Sequence, residues 1–223
     1  MGTDRLGLDP REAVIATTAV QPGTVEEEPD PVTAKAALRT RIRAERRRRP
    51  VAEREADALA LAAVVLELPE VAKARCVTLY ASMSGEPDTE PLRTALAAAG
   101  VRVLLPIVLP DRRLEWAEDD GEFAPPAGLG GPEPTGPRLG ETAVQEADVL
   151  LIPALAVDTL GRRLGQGAGY YDRALDLAHP GVPVIALVHD HEVLDAAVEP
   201  VPVEPHDRLV EAVATPRRCL RLR

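Results

Sequence analysis

The run Asp158-Thr-Leu-Gly-Arg-Arg-Leu-Gly-Gln-Gly-Ala-Gly-Tyr-Tyr-Asp172 gathers the residue types that bind phosphate. Gly161, Gly165, Gly167 and Gly169 permit positive φ and let backbone N–H groups approach a ligand closely. The run lies between an apolar strand and a helix start, so the helix's first amides point at the same place. Arg163 would add a planar fork of donors for a phosphate oxygen. Asp172, in the first helical turn, is placed to hold a divalent metal bound to that phosphate. The same residues also read as a flexible turn in which Asp172 only compensates the helix dipole. Neither the P-loop spacing nor Gly-x-Gly-x-x-Gly is present, so the glycines alone do not decide.

Other polar clusters carry weaker signals. His189-Asp190-His191 offers two imidazoles at a strand end with no third ligand in view, and reads as a polar loop start. The cluster Arg46 to Arg49 could be a nucleic-acid patch, but the chain carries a formal charge of −10. A solvated face that attracts anionic substrates fits better. Cys76 and Cys219 have no metal-knuckle spacing and make no disulfide framework, which suits a reducing cytoplasm. Trp116 reads as a partly buried anchor.

The elements that must position these residues follow from composition and period. At 223 residues with 45% hydrophobic and 28% charged side chains, the chain is an ordinary globular mixture. With 2% aromatics its core must be built from Ala, Leu and Val. No apolar run reaches the ~18 residues that cross a bilayer. Residues 1–30 hold seven acids against Arg5 and Arg11 with no hydrophobic period, and read as a disordered acidic tail. A basic helix from Pro31 towards Arg49 follows, with Leu38 and Ile42 on one face, then an Ala/Leu-rich helix at about 52–67. Cys76–Tyr80, Val101–Ile107, Val149–Ile152 and Val182–Val188 read as buried strands. Helices near 89–100 and 170–178 separate them, and Leu114–Trp116 adds a short strand. The Gly- and Pro-rich stretch 121–141 reads as one long surface loop. Strands alternating with helices predict residues 31–223 to be a single three-layer α/β domain with a mainly parallel sheet.

The Gly-rich run as a whole resembles the signature of the 5-formyltetrahydrofolate cyclo-ligase family, also called methenyltetrahydrofolate synthetase. Pro153, Val157, Asp158, Gly161, Arg163, Leu164, Gly165, Gly167, Gly169, Tyr170, Tyr171 and Asp172 all match it. Lys35-Ala-Ala-Leu-Arg39 is similar to the family's N-terminal Lys-x-x-Leu-Arg. Tyr80-Ala-Ser-Met-Ser-Gly-Glu86 is similar to its folate-contacting loop, and Val203-Glu-Pro-His-Asp207 to its C-terminal acidic motif. The likeness covers about residues 33–216. Ala168 stands where some members carry Lys or Gly, and Glu211 where many carry Asp.

The resemblance implies a Rossmann-like fold of the cyclo-ligase or sugar-phosphate-isomerase kind. It implies an ATP-dependent closure of 5-formyltetrahydrofolate to 5,10-methenyltetrahydrofolate. ATP would be held by Lys35, Ala36, Ala37, Leu38 and Arg39 with Arg163, Leu164, Gly165, Gln166, Gly167, Ala168, Gly169, Tyr170 and Tyr171. Folate would meet Ala81, Met83, Glu86 and Tyr170, while Asp172 and Asp207 would hold Mg²⁺. The implied protein is a cytoplasmic monomer that binds neither nucleic acid nor membrane. The alternatives are a non-catalytic nucleotide-binding or RNA-binding paralog, the first favoured by Ala168 and the second by the arginine cluster.

Overall fold

The structure, a computed structural model, describes Met1 and residues 30–125, 131–204 and 207–222. The segment expected to be a disordered tail lies outside the described residues apart from its two ends. Helix α1 (Pro31–Arg48) starts on Asp30, whose carboxylate accepts from the backbone N–H of Val32 at 3.0 Å and Thr33 at 3.2 Å. Its buried residues Lys35, Leu38, Ile42 and Arg46 recur every three or four positions, which makes one stripe with an apolar centre and a cation at either end. Leu38 and Ile42 pack on Leu155, Ala156, Leu164, Leu194 and Val201.

Helix α2 (Val51–Leu66) and the single turn α3 (Pro69–Ala72) lead into β1 (Cys76–Thr78). Helix α4 (Glu90–Ala98) ends at Gly100, whose φ of +74° lets Val101 N–H reach Leu96 O at 3.0 Å and close the last turn. Then come β2 (Arg102–Val108) and β3 (Leu114–Glu118). The stretch expected to be one loop instead contains β4 (Phe123–Ala124) paired with β5 (Glu133–Pro134), then β6 (Arg138–Gly140), and a 3-10 turn (Glu141–Glu146) follows it. Ladders of two or three residues leave no period that a sequence can display, so Gly and Pro dominated the reading. The remaining elements are β7 (Val149–Pro153), β8 (Ala156–Asp158), β9 (Arg163–Leu164), α5 (Tyr170–Leu177), β10 (Val184–Leu187), β11 (Val193–Leu194), β12 (Ala212–Ala214) and β13 (Cys219–Arg221).

The main sheet runs β13-β12-β10-β7-β1-β2-β3-β6. Its centre, β12 to β2, is parallel, and β13, β3 and β6 extend it antiparallel at the edges. Strand β7 is buried on both faces: Val149 and Leu151 join Leu61 and Val65 of α2 and Leu92 and Leu96 of α4, whereas Leu150 and Ile152 join Val144 and Ala174. Helices therefore cover both faces, and the fold is the expected three-layer α/β arrangement. A second sheet, β11-β8-β9, carries α1. Trp116, read as partly buried, is 1% exposed, because β3 is covered by the 3-10 turn and α5. Cys76 and Cys219 are free thiols.

Candidate active site

The parallel strands β1, β2 and β7 deliver their carboxyl ends to one cleft of about 300 Å³, as open α/β sheets do. Three segments converge there. The loop after β1 brings Ala81, Met83 and Glu86, the Gly-rich run brings Arg163 to Asp172, and α1 brings Lys35 and Arg39. Asp207 arrives from the C-terminal segment.

Helix α1 clamps the Gly-rich run by its backbone. Arg39 Nε donates to Gly165 O at 2.9 Å, and Arg43 Nη2 donates to Gln166 O at 3.0 Å. Two glycines are needed for room. A Cβ at Gly165 would lie 3.1 Å from Arg163 Nη1, and one at Gly167, where φ is +103°, would lie 3.3 Å from Arg39 Cζ. Gln166 Nε2 then donates to Glu86 Oε1 at 3.2 Å, which ties this run to the loop after β1. Glu86 also accepts from Met83 N–H at 3.0 Å. Burial raises the carboxyl pKa of Glu86, and the hydrogen bonds from Met83 and Gln166 with the positive charge of Arg46 pull the other way.

Two of the cleft's cations are neutralised in place. Lys35 Nζ, with 5% of its side chain exposed, donates to Glu204 Oε2 at 2.7 Å and Asp207 Oδ2 at 2.5 Å. Arg163 Nη2 donates to Asp172 Oδ1 at 2.6 Å. Arg39, Arg112 and Arg173 line the cleft without a carboxylate partner among the described residues. The Tyr171 hydroxyl is buried with no hydrogen-bond partner among them, and burial with the nearby Glu86 charge pushes its pKa far up, so it remains a donor.

A model of the 5-formyltetrahydrofolate cyclo-ligase family matches residues 31–216. A 5-formyltetrahydrofolate cyclo-ligase of Mycolicibacterium smegmatis is 40% identical over 189 residues, covering 82% of this chain and 94% of the relative. The chain belongs to the 5-formyltetrahydrofolate cyclo-ligase family. The Escherichia coli cyclo-ligase is 32% identical over 69% of this chain and 85% of its own length. Among solved structures, the 5,10-methenyltetrahydrofolate synthetase of Aquifex aeolicus superposes with a TM-score of 0.71 at 26% identity, covering 85% of this chain and 93% of that one.

Not every residue implied by the family motifs reaches the cleft. Lys35, Arg39, Arg163, Leu164, Gly165, Gln166, Gly167, Ala168, Gly169, Tyr170, Tyr171, Asp172 and Asp207 line it, as do Ala81, Met83 and Glu86. Ala36 and Ala37 face solvent on α1, and Leu38 sits in the small core under that helix. A helix offers one face, so only the residues at i and i+4 of the Lys-x-x-Leu-Arg motif meet the cleft. Glu211 lies away from it and accepts from Val184 N–H at 3.0 Å. Sequence reasoning missed Glu204, Arg112 and Arg173. Glu204 lies inside the quoted acidic motif, three residues before Asp207, but only the fold shows that one ammonium holds both.

The donor set suits a magnesium ion carried in on a nucleotide. Among the described residues no three His, Cys, Asp or Glu side chains form a metal cluster. Mg²⁺ needs only one or two protein carboxylates beside phosphate oxygens and water. Asp172 and Asp207 each use one oxygen on a cation, and among the described residues the second oxygen of each carboxyl is left for such a role.

The arginine cluster is not a solvated face throughout. Arg47 and Arg48 are exposed, but Arg46 is buried against Glu192 and Arg49 pairs with Asp57 and with His189. His189, read as a loop start, is 2% exposed. Burial and the adjacent Arg49 lower its pKa to about 3. An unfolded histidine takes up a proton near pH ~6.5. Between those values the unfolded chain binds the extra proton, so stability falls as pH drops. From pH 7 to pH 5 His189 alone should cost about 2 kcal/mol. Glu86, raised instead, offsets part of that loss. Urea unfolding of wild type and His189→Gln at both pH values isolates the histidine, and parallel losses in the two proteins would refute the assignment.

Proposed function

We propose that the cleft holds ATP along Lys35, Arg39 and the Gly-rich run, with the folate against the loop from Ala81 to Glu86. The chain is a ligase that converts 5-formyltetrahydrofolate to 5,10-methenyltetrahydrofolate. The observation that supports this placement is the hydrogen bond from Gln166 to Glu86, which joins the phosphate-type loop and the folate-type loop in one cavity. The formyl oxygen leaves poorly as hydroxide and well as phosphate. Transfer of the γ-phosphoryl group to that oxygen, attack of N10 on the formyl carbon with loss of its proton, and departure of phosphate close the ring. This chain's residues have two tasks, alignment and charge neutralisation. Lys35, Arg39 and Arg163 take phosphate oxygens, Tyr171 donates its hydroxyl, and Met83 with Tyr170 offers apolar and π surface to the pterin. Asp172 and Asp207 would hold Mg²⁺, which would neutralise phosphate charge. Following methenyltetrahydrofolate formation by absorbance with and without ATP tests the reading; ATP-independent or absent turnover rejects it.

Asp172→Asn keeps the shape and removes the charge. The variant should melt within a few degrees of wild type while turnover falls about 100-fold, or ~2.7 kcal/mol of barrier, and half-maximal rate needs more Mg²⁺. Unchanged rate and Mg²⁺ dependence would remove Asp172 from the metal site. The proposal also takes the enzyme as a cytoplasmic monomer. Among the described residues no helix is long and apolar enough to cross a membrane. The catalytic domain is taken to start at α1, so a chain beginning at Asp30 should keep wild-type activity and melting temperature. One beginning at Pro31 should lose the cap, worth about 1 kcal/mol. Loss of activity in the Asp30 chain would show that the acidic segment contributes to the enzyme.

A further inference from the structure

Behind the loop after β1 lies a buried polar network that the reaction chemistry leaves unexplained. Arg46 donates from Nε to Glu192 Oε1 at 2.6 Å, and from Nη2 to Glu192 Oε2 at 2.8 Å and Ala154 O at 2.7 Å. Glu192 is fully buried, and its Oε2 also accepts from His189 N–H at 2.8 Å. The His189 ring spans a gap. Its Nδ1 lies 2.6 Å from Arg49 Nη1, and its Nε2 lies 3.2 Å from the same Nη1 and 3.2 Å from Gly85 O. An arginine can only donate, so Nδ1 accepts and the proton sits on Nε2, aimed at Gly85 O. Gly85 has φ of +89°, and a Cβ added there would lie 3.5 Å from Arg46 Cβ. The next residue is Glu86, whose carboxylate faces the cleft.

A buried ion pair of this kind adds little net stability over an apolar core, because desolvation cancels most of the attraction. Its geometry is what it supplies. Arg46 fixes the carbonyl of Ala154, a cleft residue after β7, and His189 fixes the carbonyl before Glu86. We propose that Arg46, Glu192 and His189 are positioning residues that lock the Gly85–Glu86 backbone and so aim the Glu86 carboxylate at the folate. The proposal rests on the folate placement given above. It predicts the larger effect on the folate, since the network touches the loop after β1 directly and reaches the Gly-rich run only through the hydrogen bond from Gln166 to Glu86.

The test compares His189→Leu, which removes the donor, with His189→Gln, whose amide nitrogen can take the place of Nε2. Amide hydrogen exchange of residues 83–86 in the ligand-free full chain reads the loop directly. Protection should fall at least about tenfold in His189→Leu and return in His189→Gln. In turnover assays the KM for 5-formyltetrahydrofolate should rise about tenfold in His189→Leu, with KM for ATP within about twofold and recovery in His189→Gln. Unchanged loop protection in folded His189→Leu, equal rises in both KM values, or failure of Gln to restore either readout would overturn the proposal. If His189→Leu does not fold, Arg49→Met, which frees the ring from its other partner, must show the same selective loss, and its absence overturns the proposal. A wild-type chain without cyclo-ligase turnover would instead defeat the functional reading, and hydrogen exchange would still decide whether the network holds the loop.

Discussion

Lys35→Met is expected to lower kcat/KM for ATP about 1000-fold, roughly 4 kcal/mol of transition-state stabilisation. The ammonium is buried, sits on the cleft and is shared by Glu204 and Asp207. A transferring phosphoryl group carries spread negative charge, and a fixed cation in a water-poor cleft is worth more to it than the same cation in solvent. Removing the lysine does double damage, because two carboxylates then face each other without their counter-charge. Breaking such a pair from one side is costly, about 3 kcal/mol in buried cases and less here, where Glu204 is 30% exposed. Structural and chemical effects separate in the double variant Lys35→Met/Asp207→Asn, which removes one of the two repelling charges. That protein should regain most of the lost melting temperature and none of the lost turnover. Lys35→Arg should not rescue, since a planar guanidinium needs different room from a point ammonium. Near wild-type kcat/KM in a folded Lys35→Met would show that phosphate binding lies elsewhere in the cleft.

The second large effect concerns the backbone. Gly161→Ala should lower stability by about 3–4 kcal/mol, or some ~10 °C in melting temperature for a domain of this size. Gly161 turns the chain between β8 and β9 with φ of +83°, and its carbonyl accepts from Val210 N–H at 2.9 Å. A Cβ there would stand 2.6 Å from Val210 O, a backbone atom that moves only if the whole C-terminal segment moves. Gly100→Ala provides the control: φ is +74°, but a Cβ would meet nothing within 4 Å. It should cost only the left-handed strain, about 1 kcal/mol. Thermal melts of the two variants measure the difference, and equal shifts would mean that the approach to Val210 relaxes freely. Because β9 leads straight into the Gly-rich run, the Gly161 variant should also bind nucleotide less well than the Gly100 variant.

What the sequence made legible was chemistry that is local in the chain. The Gly-rich run carries its glycines, Arg163 and Asp172 within one short stretch, and in the structure Arg163 and Asp172 do touch. The helix start at Pro31 and the stop at Gly100 were equally local, as were the buried strands at Val149 and Val184. Long-range partners were not legible. Nothing near Lys35 tells that its counter-charges lie at Glu204 and Asp207, and nothing near Arg46 tells that Glu192 awaits it. Counting charge made Arg46 to Arg49 look like a solvated face. The better signal was the helical stripe, which puts Arg46 on the same face as Leu38 and Ile42. Short ladders such as β4 with β5 failed for another reason, because strands of two residues are set by their partner and not by their own period.

The scarcity of aromatic residues leaves the molecule with an optical property. Trp116 is the sole tryptophan, is 1% exposed, and sits in the core on β3 opposite Pro106 and in one cluster with Leu114 and Ala154, all three of which line the cleft. Its indole N–H has no hydrogen-bond partner among the described residues. Tryptophan emission from this protein therefore comes from one buried site. It reports the opening of the sheet to water, and a ligand in the cleft reaches it through the Pro106 and Leu114 side chains that wall the cleft.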